Sequence, residues 1–451
     1  MAGASWWLSF QDPELNSLIE RAVRSNDTLK DAVLRVAIAR AQRDVAAADR
    51  WPALSANSSW TRQRISEKTA LGALIGTGPG STGAPGFALP ALTNPFNQTQ
   101  LGFDASWEVD LFGRVRRAVE AADADALASI EDNRDVLLTL LGDVARAYIE
   151  LRGEQLRLSI SQRNLASQRE VLDLTRDRQH AGVGNDLDVA NAAAQVASTE
   201  ALIPDLQRQV TQSVNELSLL LSLQPAALSA ELTSPTAVPA PTAVPAPPSE
   251  VPVGLPADVV RRRPDIRRAE AALHAATARV GVAEADLFPR LTLGASAGLQ
   301  AQHAGDLGAW ASRFASVGPR LELPILDGGR RRATVRLQTV SEQRAALAYE
   351  HTVLAALHEA ENSLTAYGTE QVRRTSLEVA VTSSRDALSL SRLRYGNGVT
   401  SFLDVLDAER NLEQAELALA QSTTTVSTNL VAVYKALGGG WETGGSDRGA
   451  P

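Results

Sequence analysis

Residues 100–111 read QLGFDASWEVDL, and apolar side chains occupy every second position from Leu101 to Leu111. Residues 291–300, LTLGASAGLQ, alternate in the same way. A period of two is typical of a β-strand with one apolar and one polar face. Strands of about 9–11 residues are also long enough to cross a bilayer at a tilt. Both stretches are therefore predicted to be strands of membrane-spanning length.

Two weaker copies of the pattern raise the number of predicted strands to four. The expected bounds are about 52–62, 99–111, 289–300 and 316–325. Four strands leave two open edges, whose backbone groups lipid cannot satisfy. The smallest membrane barrels close with about eight strands, so several chains would have to share one barrel. The periodicity alone leaves a soluble sandwich or hairpin with one wet face as the alternative.

Long helices are predicted on either side of these strands. Residues 96–203 and 325–450 contain no proline, and residues 115–180 and 331–395 have helical patterns almost throughout. A continuous helix of roughly 65 residues would span roughly 100 Å. Such lengths are typical of a tube, a stalk or a coiled-coil hairpin rather than of an ordinary globular domain.

The chain is an internal duplication. The pair Gly182-Val183 recurs as Gly398-Val399, displaced by 216 positions, and other matches preserve the order of the segments. Residues 235–256 include eight prolines, which favours an extended, exposed connector, and a segment that packs along the body is the alternative. The predicted organisation is a first repeat at 6–234, the connector at 235–256, a second repeat at 257–441 and a disordered tail at 442–451.

Composition excludes several classes of function. The chain has 451 residues, a formal charge of −8, no cysteine and five histidines. An acidic chain without a basic cluster argues against nucleic acid as a partner. No catalytic constellation, metal site or phosphate-binding loop is apparent from the spacing of the polar residues. We therefore predict a protein that is not an enzyme and has no cofactor.

Four motifs carry a resemblance to a known family. They are SWEVDLFGRVRR (106–117), LPADVVRRRPDIRRAEAAL (255–273), YGNGVTSFLDVLDAER (395–410) and YKALGGGW (434–441). In this order the chain resembles the TolC/OprM-like outer-membrane factors, which are efflux ducts. The resemblance implies a mainly α-helical homotrimer with membrane β-structure. Four strands per chain would form a twelve-stranded barrel, continued by a long periplasmic α-helical barrel.

The resemblance also implies a location and partners. The duct would lie in the outer membrane of a Gram-negative bacterium, in contact with its lipid, and extend into the periplasm. It would passively export drugs or other small molecules received from a periplasmic adaptor and an inner-membrane pump of the RND type. The alternatives are a periplasmic adaptor or structural coiled-coil protein without a pore, and a type I protein-secretion duct.

Many members of the family are lipoproteins, acylated on an N-terminal cysteine after a leader is removed. This sequence has neither leader nor cysteine, and it begins Met-Ala-Gly-Ala-Ser-Trp-Trp. We expect it to start just after the acylation site, with Met1 as an added start. The native lipid anchor stays an expectation that rests on the resemblance.

The candidate functional site is the turn between the last two long helices. A new helix is predicted to begin near Ser401, where Asp404 three residues later would serve the helix N-terminus as a cap. In the resembling family, the positions of Leu403, Asp404 and Asp407 line the closed periplasmic tip. Three copies would place carboxylates around one axis, where they would repel one another or recruit cations.

The first repeat has a related but not identical turn. Asp188 aligns with Asp404, whereas Asn191 stands where the second repeat has Asp407. The resemblance implies that Asp188 and Tyr395 form a hydrogen-bonded link that holds neighbouring hairpins closed. Taken without the family, these two residues would be a surface cap and a partly packed tyrosine.

Overall fold

A computed structural model describes residues 5–66, 68–69, 95–233, 244–248 and 262–439. The chain divides into two compact units. The helical unit comprises Met1–Ile38, Leu127–Ala272 and Ala346–Pro451, and the sheet unit comprises Ala39–Ala126 and Leu273–Ala345. Each unit takes residues from both repeats, so the compact units do not follow the repeat boundaries. Those boundaries stay a prediction, and the tail at 442–451 lies outside the described residues.

Helices account for most of the described chain. Their bounds are α1 Pro13–Ser25, α2 Asp27–Ala48, α3 Arg114–His180, α4 Asp186–Leu220, α5 Ser229–Leu232, α6 Pro264–Ala285, α7 Arg330–Gly396 and α8 Phe402–Ala436. Helices α3 and α7 have 67 residues each, which confirms the two long helices predicted from the proline-free stretches. None of the helices in the described ranges has both the length and the apolarity needed to span a membrane.

The strands form one antiparallel sheet in the order β1-β2-β3-β4. Their bounds are β1 Ala53–Gln63, β2 Phe96–Val109, β3 Arg290–Ala301 and β4 Arg313–Glu322. The first repeat supplies β1 and β2, and the second supplies β3 and β4. The central pairing, between β2 and β3, therefore joins the two repeats.

Two glycines allow the central strands to approach closely. Gly102 on β2 lies opposite Gly298 on β3. A Cβ atom added at Gly298 would lie 2.3 Å from the carbonyl oxygen of Leu101 and 2.6 Å from the Cα of Gly102. A side chain is therefore excluded where Gly102 and Gly298 pair, although glycine usually weakens a strand.

Almost no residue of the sheet is fully buried. Across the four strands only Gly102 is buried, and Leu54, Trp60 and Phe103 are 72%, 65% and 59% exposed. Burial of apolar surface is the main force that stabilises a fold. The apolar side chains of this sheet must therefore be covered by something other than this chain's own core.

The helical unit has a core of buried apolar side chains. Trp6 stacks on Tyr434 with ring centroids 5.3 Å apart. Asp12 caps α1 by accepting from the backbone N–H groups of Glu14 and Leu15, at 2.9 and 3.0 Å. The other carboxylate oxygen of Asp12 accepts from the hydroxyl of the fully buried Tyr148, at 3.0 Å. This buried cap fixes the N-terminal segment against α3.

Part of the proline-rich connector packs against the core, which is one of the two alternatives that the sequence left open for this segment. Of residues 235–256 the structure describes 244–248, and Pro245 is buried there. The Ser427 hydroxyl on α8 donates to the Pro245 carbonyl oxygen at 2.7 Å, and Val244 packs against the core. Proline lacks a backbone donor but keeps its carbonyl, so a polyproline segment can still be held in this way.

Candidate functional site: the two helix turns

The turn after α3 closes with a glycine in the left-handed conformation. Gly182 has a φ of 74°, and its N–H donates to the Gln179 carbonyl at 2.9 Å. The N–H of Val183 donates to the Arg178 carbonyl, also at 2.9 Å. These paired bonds form the Schellman motif that commonly ends helices at glycine.

The turn after α7 repeats this backbone geometry 216 positions later. Gly398 has a φ of 75°, and its N–H donates to the Tyr395 carbonyl at 3.0 Å. The N–H of Val399 donates to the Arg394 carbonyl at 2.9 Å. The duplication seen in the sequence is therefore present as the same three-dimensional turn.

The caps of the two following helices differ. At the first turn, the Asn185 side-chain oxygen accepts from the backbone N–H of Asp188, at 2.7 Å. At the second, the carboxylate of Asp404 accepts from the backbone N–H of Ser401 at 3.1 Å. It also accepts from the hydroxyls of Ser401 and Thr400, at 3.0 and 2.7 Å. The hydrogen bonds of these two hydroxyls hold the pKa of Asp404 below its usual range.

The three predicted gate residues lie together on the exposed side of α8. Leu403, Asp404 and Asp407 are exposed, while Val405 and Leu406 between them are buried. The buried residues attach the start of α8 to a core that includes Leu172 on α3 and Val196 on α4. The structure therefore brings the predicted set together on one face, with the Asp404 carboxylate turned back toward its own helix end.

The predicted partners of the link, Asp188 and Tyr395, are both half-buried. Burial raises the pKa of the Tyr395 hydroxyl, the Arg178 charge lowers it, and the Asp188 charge raises it. No hydrogen bond joins Asp188 to Tyr395 among the described residues of this one chain. The link between neighbouring hairpins stays a prediction.

Sequence reasoning missed the guanidinium of Arg178. It lies 4.7 Å from the centre of the Tyr395 ring, and Phe402 packs on the same ring with centroids 5.6 Å apart. A cation over an aromatic face is attractive. Arg178 has a repeat counterpart, Arg394, so an arginine four residues before each glycine was a visible signal.

Both turns also expose aliphatic side chains. Val183 and Leu187 at the first turn are 67% and 65% exposed, and their counterparts Val399 and Leu403 are 65% and 54% exposed. Clustered exposed aliphatic residues are typical of surfaces that meet another protein. The surface of each turn thus combines exposed aliphatic side chains with carboxylates.

The chain is similar over nearly its whole length to proteins of outer-membrane efflux. The family model described as outer membrane efflux protein matches residues 18–222 and 255–439. The toluene efflux pump outer membrane protein TtgC of Pseudomonas putida is 34% identical over 440 residues, 98% of this chain and 86% of that protein. The outer membrane protein OprJ of Pseudomonas aeruginosa is 34% identical over 441 residues, 98% of this chain and 87% of that protein.

A solved structure agrees with these sequence matches. The structure of the outer-membrane channel OprN superposes with a TM-score of 0.86 at 38% identity. The superposition covers 97% of this chain and 92% of that one.

Proposed function

This chain belongs to the outer membrane efflux protein family, and we propose that its pore is gated at the two helix turns. It is an outer-membrane channel of an efflux system in a Gram-negative bacterium, and its fold is that of the trimeric outer-membrane factors. Three copies with four strands each supply the twelve strands of one barrel. The predicted family, fold class, function and location are thereby confirmed.

We favour a channel over a periplasmic adaptor, because the sheet is too exposed for a protein that stands alone. Its strands leave Trp60 and Phe103 uncovered, and the matching structures are channels. Closure of strands from three copies removes the open edges, and lipid covers the outward apolar side chains. This exposed four-stranded sheet is the observation that carries the proposal of a conducting pore.

We infer that the exported compounds are small molecules, including apolar solvents and drugs. Two relatives are named as a toluene efflux pump protein and an antibiotic efflux pump protein. We further infer that transport involves no covalent chemistry and no bound cofactor. Energy would come from an inner-membrane pump of the RND type through a periplasmic adaptor, which would meet the exposed aliphatic residues of the turns.

The gate would combine an apolar ring and an acidic ring. Leu403 would supply the apolar ring, and two aspartates from each of three copies, Asp404 and Asp407, would bring six carboxylates toward one axis. Like charges that converge either repel or recruit cations. The hypothesis is therefore that cations hold the gate closed, and that an adaptor opens it by separating the hairpins.

Reconstitution into planar bilayers tests this function. The purified full chain should give discrete channels that prefer cations, and a divalent salt added on the side of the turns should reduce the current. A Leu403→Ala variant should raise the open probability without a change in cation preference. Silent membranes from a correctly assembled trimer would contradict the channel, and currents unaffected by Leu403→Ala would contradict the gate alone.

A further inference from the structure

A partly open cavity of about 290 Å³ lies in the helical unit, between helices that lead to the second turn. Helices α3, α7 and α8 line it, and its walls include Leu388 and Leu412 as well as several polar side chains. This volume is near the lower end for small-molecule sites, which are concave and largely apolar with a few polar groups. The chemistry of the cavity therefore depends on which of its polar groups lack partners.

Most charges around the cavity are paired. Arg392 contacts Glu409 at 2.6 Å, and Arg385 contacts Glu416 at 2.8 Å. Ionised partners at such distances make strong, charge-assisted hydrogen bonds. These four residues consequently offer little unbalanced charge to a further ligand.

Glu413 is the exception. It is 7% exposed, and the groups that donate to its carboxylate are all neutral. They are Gln168 Nε2 at 3.2 Å, Gln195 Nε2 at 3.3 Å and Thr199 Oγ1 at 3.4 Å. The nearest arginine on the same helix, Arg410, donates to Gln195 instead, at 2.7 Å. Burial raises the pKa of Glu413, and the neighbouring Glu409 charge raises it further.

A second acceptor beside Glu413 is unsatisfied. Gln168 is 5% exposed and lines the cavity, and its Oε1 has no hydrogen-bond partner among the described residues. Leaving a buried acceptor unpaired costs about 1–3 kcal/mol. Two adjacent acceptors without a strong donor, beside an apolar wall, call for an occupant that is both cationic and partly apolar.

We propose that this cavity binds a small organic ammonium ion. The ammonium group donates to the carboxylate of Glu413 and to Gln168 Oε1, while the carbon atoms of the ion contact Leu388 and Leu412. A bare inorganic cation would leave most of the volume and the leucine surface unused. This inference concerns a site inside the helical unit and does not depend on the gate.

Calorimetry on the detergent-solubilised trimer, with benzylammonium chloride as the probe and benzyl alcohol as its neutral counterpart, tests the proposal. The intact protein should bind benzylammonium and not benzyl alcohol. Glu413→Gln should weaken binding by at least about tenfold, the worth of a charge-assisted hydrogen bond. Glu378→Gln removes the same charge from an exposed position of α7, outside both the cavity and the gate, and should leave the affinity unchanged.

Four results would overturn the proposal. Equal affinity of the Glu413→Gln trimer would exclude the carboxylate, and equal binding of benzyl alcohol would leave only an apolar pocket. Displacement of the probe by low-millimolar sodium would assign the site to inorganic cations. Absence of binding to a correctly assembled trimer would mean that a neighbouring copy or water fills the cavity. Trimer assembly of each variant is checked on native gels, so that misfolding is not counted as lost binding.

Discussion

The turn after α3 and the turn after α7 share a backbone but cap the helices that follow them differently. In a full capping box, the N-cap side chain accepts from the third residue's N–H, and the third side chain accepts from the N-cap N–H. The first turn makes the former bond, Asn185 to Asp188. The second forms the full capping box, because the Ser401 side chain accepts from the Asp404 N–H and the Asp404 carboxylate accepts from the Ser401 N–H. After duplication the backbone stayed the same, while one turn kept a single capping bond and the other has the reciprocal pair.

This difference between the caps changes which carboxylate is available to other molecules. At the first turn an amide does the capping, so the Asp188 carboxylate is free to act on Tyr395, whose pKa it raises. At the second turn the Asp404 carboxylate is occupied by its own helix end. Asp404 and not Asp407 caps the helix, so Asp407 is the carboxylate of the second turn that is more available to other molecules.

The largest expected difference between the turns concerns ion selectivity. Asp407→Ala removes three negative charges per trimer and should lower the cation-over-anion permeability ratio roughly tenfold. Asn191→Ala, the change at the matching position of the first repeat, should leave the ratio unchanged. Reversal potentials in a salt gradient measure both. An unchanged ratio for Asp407→Ala would remove this residue from the gate.

The shared backbone should respond equally in the two repeats. Gly182→Ala and Gly398→Ala each place a side chain at a φ near 75°, and each should cost about 1 kcal/mol of local stability. Hydrogen exchange of the adjacent helix ends measures the loss. A cost at one turn only would show that the two turns are not equivalent in solution.

The caps should respond unequally. Asn185→Ala removes the side-chain acceptor of the Asp188 N–H and should cost about 0.5–1 kcal/mol. Ser401→Ala should cost less, because the Asp404 carboxylate still accepts from the backbone N–H at that position. Exchange rates in the first turn of α4 and of α8 report the two losses. Equal losses would contradict this difference between the two caps.

The smallest expected effect is a dependence on pH confined to the second turn. The folded-state pKa of Asp404 is lowered, so its bonds contribute stability above its usual value of 3.8. That contribution is lost as the pH falls through the lowered value, whereas the Asn185 amide does not titrate. Hydrogen exchange at pH 6 and pH 3, corrected for the intrinsic rate, should show faster opening of α8 than of α4 in acid. An Asp404→Asn variant should abolish the difference.

The sequence predicted those features that depend on local patterns. Alternation located all four strands, and the absence of proline located α3 and α7. The start of β2 was missed by three residues because Phe96–Gln98 belong to the strand through pairing with β1, opposite Gln63, Arg62 and Thr61. That pairing is a property of the hairpin, and the alternation of one strand does not contain it.

The side-chain roles at the site were harder to predict. Both turns have a capping residue followed three positions later by aspartate, so the sequence permits either hydrogen bond at either turn. The choice depends on rotamers set by packing. The contact of Arg178 with Tyr395 and the isolation of Glu413 likewise arise from residues more than 200 positions apart in sequence.

The pairing of Gly102 with Gly298 affects how the molecule can fold. These residues lie 196 positions apart, and the sheet is incomplete until they meet. Closing so long a loop costs conformational entropy before any contact between the strands stabilises the sheet. Folding rates also fall as contacts become more distant in sequence. In a newly exported chain the edge of β2 that pairs with β3 therefore stays open until the second hairpin has arrived, and an open strand edge favours aggregation.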